Sequence, residues 1–238
     1  AKQKVKLLMP GTSGSNGAGV AWNPGKKVYY ACFAGNSSYP LVMFSKKGKV
    51  INSDLETGVD TRGFWFNKAD NRLEGTIYGG AVSSAGYFYR SCDSKGTPGA
   101  DTYVKFPSMT MPDDQSVGAY DASKDEIVFR DREFITRFSK KDGASKGSLT
   151  LNLPDGVSWG SITEYVSICT GKKGEEYAVL NHEKGMIYLF DATTGNVTKT
   201  VELPEEAPDP ETFNFSYANG MFWVFSTISR TWYGYNHP

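Results

Sequence analysis

Gly156-Val157-Ser158-Trp159-Gly160 fits the pattern G-x-S-x-G, in which a serine nucleophile is held at a tight turn. That chemistry needs a strand before the serine, a helix after it and a histidine to take its proton. Here the stretch lies between two strand-like runs, nothing after it reads as a helix, and His182 and His237 are the only histidines. It is therefore read as a Gly-rich loop, and no catalytic residue is assigned. His182, in "LNHEKG", has no second histidine or cysteine pair nearby in the sequence, so a solvated turn is expected there and no transition-metal site. Ser91–Gly96 ("SCDSKG") approaches the Asp-box turn of sialidases but has one residue too many and no Trp, so it reads as a plain turn.

Carboxylates are the more promising groups. Asp60, Asp114 and Glu211 each fall just ahead of an aromatic-rich strand, in loops long enough to carry function. Two carboxylates are what glycoside hydrolysis needs, and oxygen-rich loops also suit Ca²⁺. Arg62 adds a forked pair of donors, and Trp159 adds an aromatic face. Asp60, Arg62, Asp114, Trp159 and Glu211 form the candidate ligand-binding set. The expected function is a non-enzymatic binding or scaffold module that holds a ligand or protein partner, a glycan among the candidates. The competing reading is a hydrolase, glycosidase or metal-dependent lactonase-like, with its carboxylates at a central opening. No cofactor is expected, with Ca²⁺ the one ion the loops suit.

Bulk properties narrow the partners. The 238 residues carry 26 Lys and Arg against 26 Asp and Glu, so no global field favours nucleic acid, and none is expected as partner. No apolar run approaches the roughly 20 residues that span a bilayer. Three cysteines at wide spacings (Cys32, Cys92, Cys169) read as free, buried thiols. N-x-[ST] matches at Asn36, Asn196 and Asn214 carry no weight for compartment. A monomer, secreted or periplasmic, is the expectation.

The elements that must position these groups emerge from a repeat. Aromatics make up 14% of the chain and glycines number 26, a balance that favours strands and tight turns. The phrases "VKLLMP", "YVKFP", "LTLNLP" and "KTVELP" each end a strand with Pro. Aligning them defines units of four strands, with first strands starting near residues 19, 63, 118, 162 and 213. Turn residues such as "NPG", "KKG", "KDG" and "TTGN" separate the strands. Such units are propeller blades. The fifth has only three strands, and "KVKLLMP" at the other end of the chain is the spare. The predicted fold is all-β: one domain over residues 1–238, a five-bladed propeller of four-stranded antiparallel blades. The N-terminal strand completes the last blade, which protects both open sheet edges.

"MIYLFDATTGNVTKTVELP" (Met186–Pro204) and "YDASKDEIVF" (Tyr120–Phe129) resemble the repeats of quinoprotein-like and lactonase-like propellers. The resemblance implies the fold, and no activity follows from it. In a propeller the lysine pairs at 26–27, 46–47, 140–141 and 172–173 fall in hairpins of one face, where they serve solubility. The long acidic loops and Trp159 fall on the other. Trp22, Phe66, Tyr120 and Tyr217 recur near the ends of first strands and are expected to pack blades together.

Overall fold

The computed structural model describes residues 1–81, 86–106 and 109–238. Pro107 of "YVKFP" and Ser108, which opens the loop "SMTMPDDQSVG", lie outside the described residues. The chain is a five-bladed β-propeller. Strand β1 (Gln3–Leu8) comes first, and blade 1 follows as β2 (Asn16–Asn23), β3 (Val28–Ala34), β4 (Pro40–Ser45) and β5 (Val50–Glu56). Blade 2 is β6 (Thr61–Asn67), β7 (Arg72–Ile77), β8 (Gly86–Ser91) and β9 (Thr102–Lys105). Blade 3 is β10 (Ala119–Asp121), β11 (Glu126–Asp131), β12 (Phe134–Ser139) and β13 (Ser145–Thr150). Blade 4 has β14 (Tyr177–Asn181), β15 (Met186–Phe190) and β16 (Val197–Glu202), and blade 5 has β17 (Phe215–Ala218), β18 (Met221–Ser226) and β19 (Thr231–Asn236).

The ring closes as the repeat predicts. Strand β1 pairs antiparallel with β19, with Leu7 opposite Trp232 and Leu8 opposite Thr231, and forms the outer edge of blade 5. Leu7 and Met9 drop into the core between blades 5 and 1. Backbone bonds spread the seam further, from Met9 N–H to Arg230 O (2.9 Å) and from Asn236 N–H to Lys2 O (3.0 Å).

Each pair of neighbouring blades has a core of its own, which explains the pattern of the middle strands. In β3, "VYYACFA" is buried at every position. Side chains alternate across a strand, so Tyr29, Ala31 and Phe33 enter the core shared with blade 5, while Val28, Tyr30, Cys32 and Ala34 enter the core shared with blade 2. A strand sandwiched on both faces must be apolar on both, whereas the outer strands β5, β9, β13 and β16 are mostly exposed or half-buried. Close approach of the inner strands demands small residues. A Cβ on Gly63 would lie 2.6 Å from Gly118 O in the next blade.

Blade 4 departs from the expected four strands. Its inner segment, expected as a strand starting near residue 162, pairs through isolated bridges: Ile162 with Asn181 and Cys169 with Tyr177 within the blade, Val166 with Val117 and Glu164 with Thr212 across to its neighbours. The cause lies in blade 3. Arg130 in β11 is buried, and its guanidinium donates to Val166 O (2.9 Å) and Thr163 O (2.6 Å), carbonyls of that segment. Tyr165 between them takes φ +66°, outside the extended range.

The hairpin lysines share a face as expected, with one exception. Lys140 is buried and crosses to blade 2, where its ammonium meets Glu74 at 3.2 Å and Asp70 at 3.7 Å, with Asp125 of its own blade at 3.6 Å. Glu74 is fully enclosed and also accepts from Trp65 Nε1 (3.1 Å) and Asn67 Nδ2 (3.0 Å). All three cysteines are free; Cys32 is buried, and Cys92 and Cys169 are half-buried.

Candidate functional site on the inter-blade loop face

The loops between blades bring the chain to the inner strands on one face, and the five predicted residues take different places there. Asp60 and Arg62, at the entry to blade 2, form an ion pair. Asp60 also accepts Gly35 N–H of blade 1 at 2.7 Å, and Arg62 Nε donates to Gln115 of the next inter-blade loop at 3.0 Å. The Arg62 guanidinium lies 4.7 Å from the Tyr78 ring centre and 5.9 Å from that of Phe213. Phe213 in turn stacks on Tyr165 at 5.4 Å. Arg62 is thus a buried keystone linking blades 2, 3 and 5. The Asp60 carboxylate is committed to Arg62 and Gly35.

Asp114 is exposed beside this cluster; its carbonyl accepts Gly79 N–H (2.8 Å), while the Asp60 carbonyl accepts the neighbouring Tyr78 N–H (2.8 Å). Asp60, Arg62 and Asp114 are therefore close. Glu211 lies apart, in a recess of ≈ 470 Å³ lined also by Glu206, Asp209 and Ile228. Its carbonyl accepts Glu164 N–H (2.7 Å). Trp159 borders a second recess of ≈ 570 Å³ between blades 3 and 4. The five residues share one face and do not line one cavity.

The recess at Trp159 holds the richest mixture of chemistry. Trp159 opens a short 3-10 turn, Trp159–Ser161, capped by Ser158, whose Oγ accepts Gly160 N–H (3.1 Å). Ser158 is thus a capping residue in a turn of three residues, in keeping with the loop reading. The half-buried indole lies with its ring centre 5.8 Å from the Arg130 guanidinium. Burial lowers the Arg130 pKa to about 10, an effect opposed by the charges of Asp131 and Glu164. Tyr165, also on this wall, has its phenol pushed up by desolvation and by Asp113 and Glu164.

The axis of the ring offers little room. Its cavity is ≈ 60 Å³ and is lined by Ala18, Gly63, Gly118, Ser167 and Ser216 among others. At roughly 10–15 Å³ for each water-sized centre, that admits a few waters and no sugar ring. Among the described residues, no group of three or more His, Cys, Asp or Glu is arranged to hold a metal ion. Of the aromatics expected to pack blades, Phe66 stacks on Tyr30 (6.2 Å) and Trp22 on Tyr29 (4.4 Å). Tyr120 stacks on Trp65 of blade 2 (5.4 Å) and Tyr217 packs against the core between blades 4 and 5, and both also border the axial cavity. The sequence reading missed Arg130, Tyr165 and Phe213. An arginine inside the apolar strand "EIVFRD" was the available signal for the first.

No protein-family model matches the sequence, and no curated protein matches it. Solved structures do. A glutaminyl cyclase from Myxococcus xanthus superposes with a TM-score of 0.58 at 12% identity, covering 98% of this chain and 94% of that one. A nidogen/laminin complex matches with a TM-score of 0.47 at 10% identity over 78% of this chain and 63% of that one. A Bacteroides uniformis protein, named provisionally as a 6-phosphogluconolactonase, gives 0.42 at 13% identity over 92% and 70%. At 12% identity the likeness to the cyclase is one of fold alone.

Proposed function

We propose that this propeller is a non-enzymatic binding protein whose ligand lies on the inter-blade loop face, in the recess between blades 3 and 4. One observation carries the reading: a ≈ 570 Å³ recess with Trp159 and Tyr165 as aromatic walls and a buried arginine behind them. Its size falls within the range of small-molecule sites, and a few polar groups among apolar walls are what such sites need. Asp114 and the Asp60–Arg62 pair flank it as support for the loops. A glycan remains within the ligand classes that an aromatic wall and carboxylates accommodate.

The test is a thermal-shift screen of the full chain against sugars, amino acids, nucleotides and divalent cations, repeated on Trp159→Ala. Because Trp159 is half-buried, its loss is expected to change stability little and to weaken a true ligand by about 1–3 kcal/mol. A ligand that binds Trp159→Ala and the parent equally well would place the site elsewhere.

A further inference from the structure

We infer that the recess between blades 3 and 4 takes a zwitterion, a small molecule that carries a carboxylate beside an ammonium, as a free α-amino acid does. The inference rests on the reading of that recess as the binding site and adds the ligand class. Both signs of charge face the same space. Arg130 and Arg132 line it together with Asp113, Asp131 and Glu164. Opposite charges this close in a folded protein ordinarily neutralise one another, yet here they do not. Among the described residues, Arg130, Asp113, Asp131 and Glu164 make no ion pair within 4.0 Å, and Arg132 meets only Glu133, at 3.8 Å.

Arg130 sharpens the point. Its three hydrogen bonds go to neutral carbonyls, of Val166 (2.9 Å), Arg132 (3.0 Å) and Thr163 (2.6 Å). A guanidinium has five N–H donors, so two remain for a ligand. It is only 5% exposed. A buried cation held by carbonyls, without a carboxylate in contact, keeps an unmet preference for an anion. The carbonyls also fix the fork in place, so an incoming carboxylate meets donors already oriented. The acids at the rim are exposed, where an ammonium can reach them. A simple anion would be repelled by Asp113, Asp131 and Glu164, and a simple cation by Arg130 and Arg132. A ligand with both charges satisfies both sets, while its side chain lies against Trp159.

Calorimetric titration of the full chain with each of the twenty protein L-amino acids tests this, followed by the N-acetyl and amide forms of any that binds. The expected result is binding of at least one free amino acid, with each blocked form weaker by about tenfold or more, the scale of a hydrogen bond to a charged group. Arg130→Lys risks misfolding, so Asp131→Asn with Glu164→Gln provides the second arm. That double variant is expected to weaken the free amino acid about tenfold and to tighten its N-acetyl form, an anion that those two acids no longer repel. Binding of no amino acid, or equal binding of the free and N-acetyl forms, overturns the zwitterion. A sugar or other uncharged ligand that depends on Trp159 would also overturn it, while leaving the recess as the site.

Discussion

Removing the ammonium of Lys140 is the sharpest test of how the blades are held. In Lys140→Ala, Glu74 remains fully enclosed with its charge unpaired, a situation that costs roughly 3–5 kcal/mol when one partner of a buried pair is deleted. Two features place the loss near the lower end. Glu74 keeps its bonds from Trp65 and Asn67, each worth about 0.5–1.5 kcal/mol. The other two carboxylates facing Lys140, Asp70 and Asp125, are 45% and 57% exposed at the side chain and contribute at most about 1 kcal/mol each. The expected cost is about 3 kcal/mol. Urea unfolding followed by tryptophan fluorescence measures it directly, and for a chain of this size the melting point should fall by roughly 6–12 °C. Lys140→Met combined with Glu74→Gln removes both charges and keeps an acceptor for one of the two donors, Trp65 or Asn67, so with no unpaired charge enclosed the double variant should be more stable than Lys140→Ala. Salt between about 0.1 and 0.5 M should hardly alter the difference, since enclosed charges are screened little. A loss below about 1 kcal/mol for Lys140→Ala would refute the reasoning, because Glu74 would then be carrying no buried charge.

Three other outcomes follow from the geometry. Deleting residues 1–10 removes Leu7 and Met9 from the core between blades 5 and 1 and bares the edge of β19, so aggregation or loss of cooperative unfolding is expected; a truncated chain with parental solubility and urea midpoint would sink the closure. Burial lowers the His237 pKa from its ordinary 6.5, outweighing the pull of Glu175, 2.5 Å from its Nε2. The unfolded chain then takes up that proton more readily than the folded one. This contribution to stability is complete above about pH 6.5 and is lost as the pH falls toward the lower folded value, a trend that His237→Gln should flatten in melting curves at pH 7 and pH 5. Burial pushes the thiols of Cys32, Cys92 and Cys169 upward, so alkylation of the folded chain should be slow and reach three sites only after denaturation; one labelled site under non-reducing conditions would mean a disulfide.

What the sequence carried and what it did not divide along physical lines. Blade number and closure were legible because each unit repeats its own turn chemistry and because "KVKLLMP" matches the phrases that close the other blades. Contacts between blades were not. "SKKDG" reads as a solvated hairpin, and only its contact with Glu74 and Asp70 of blade 2 turns Lys140 inward. The irregular inner segment of blade 4 arises from an arginine 33 to 36 residues earlier, a relation invisible to local pattern. Asp60 and Arg62 could be chosen from sequence by position, yet their use for each other depends on the fold. Trp159, half-buried in its loop, and Arg130, hidden in a strand, meet only across two blades.

The seam between Lys2 and Asn236 has a consequence for how the chain can be rewired. Their backbones are already hydrogen-bonded, Lys2 N–H also reaching Asn236 Oδ1 at 2.6 Å, so a short linker can join these two positions without disturbing β1 or β19. Each blade shares a separate core with each of its two neighbours, and a ring of such units has no privileged starting point. A circularly permuted chain, opened instead at an exposed outer hairpin such as Lys46–Lys47, should fold to the same ring with its opening moved to blade 1. The order of the blades along the chain would then be free to change while their order in space stays fixed.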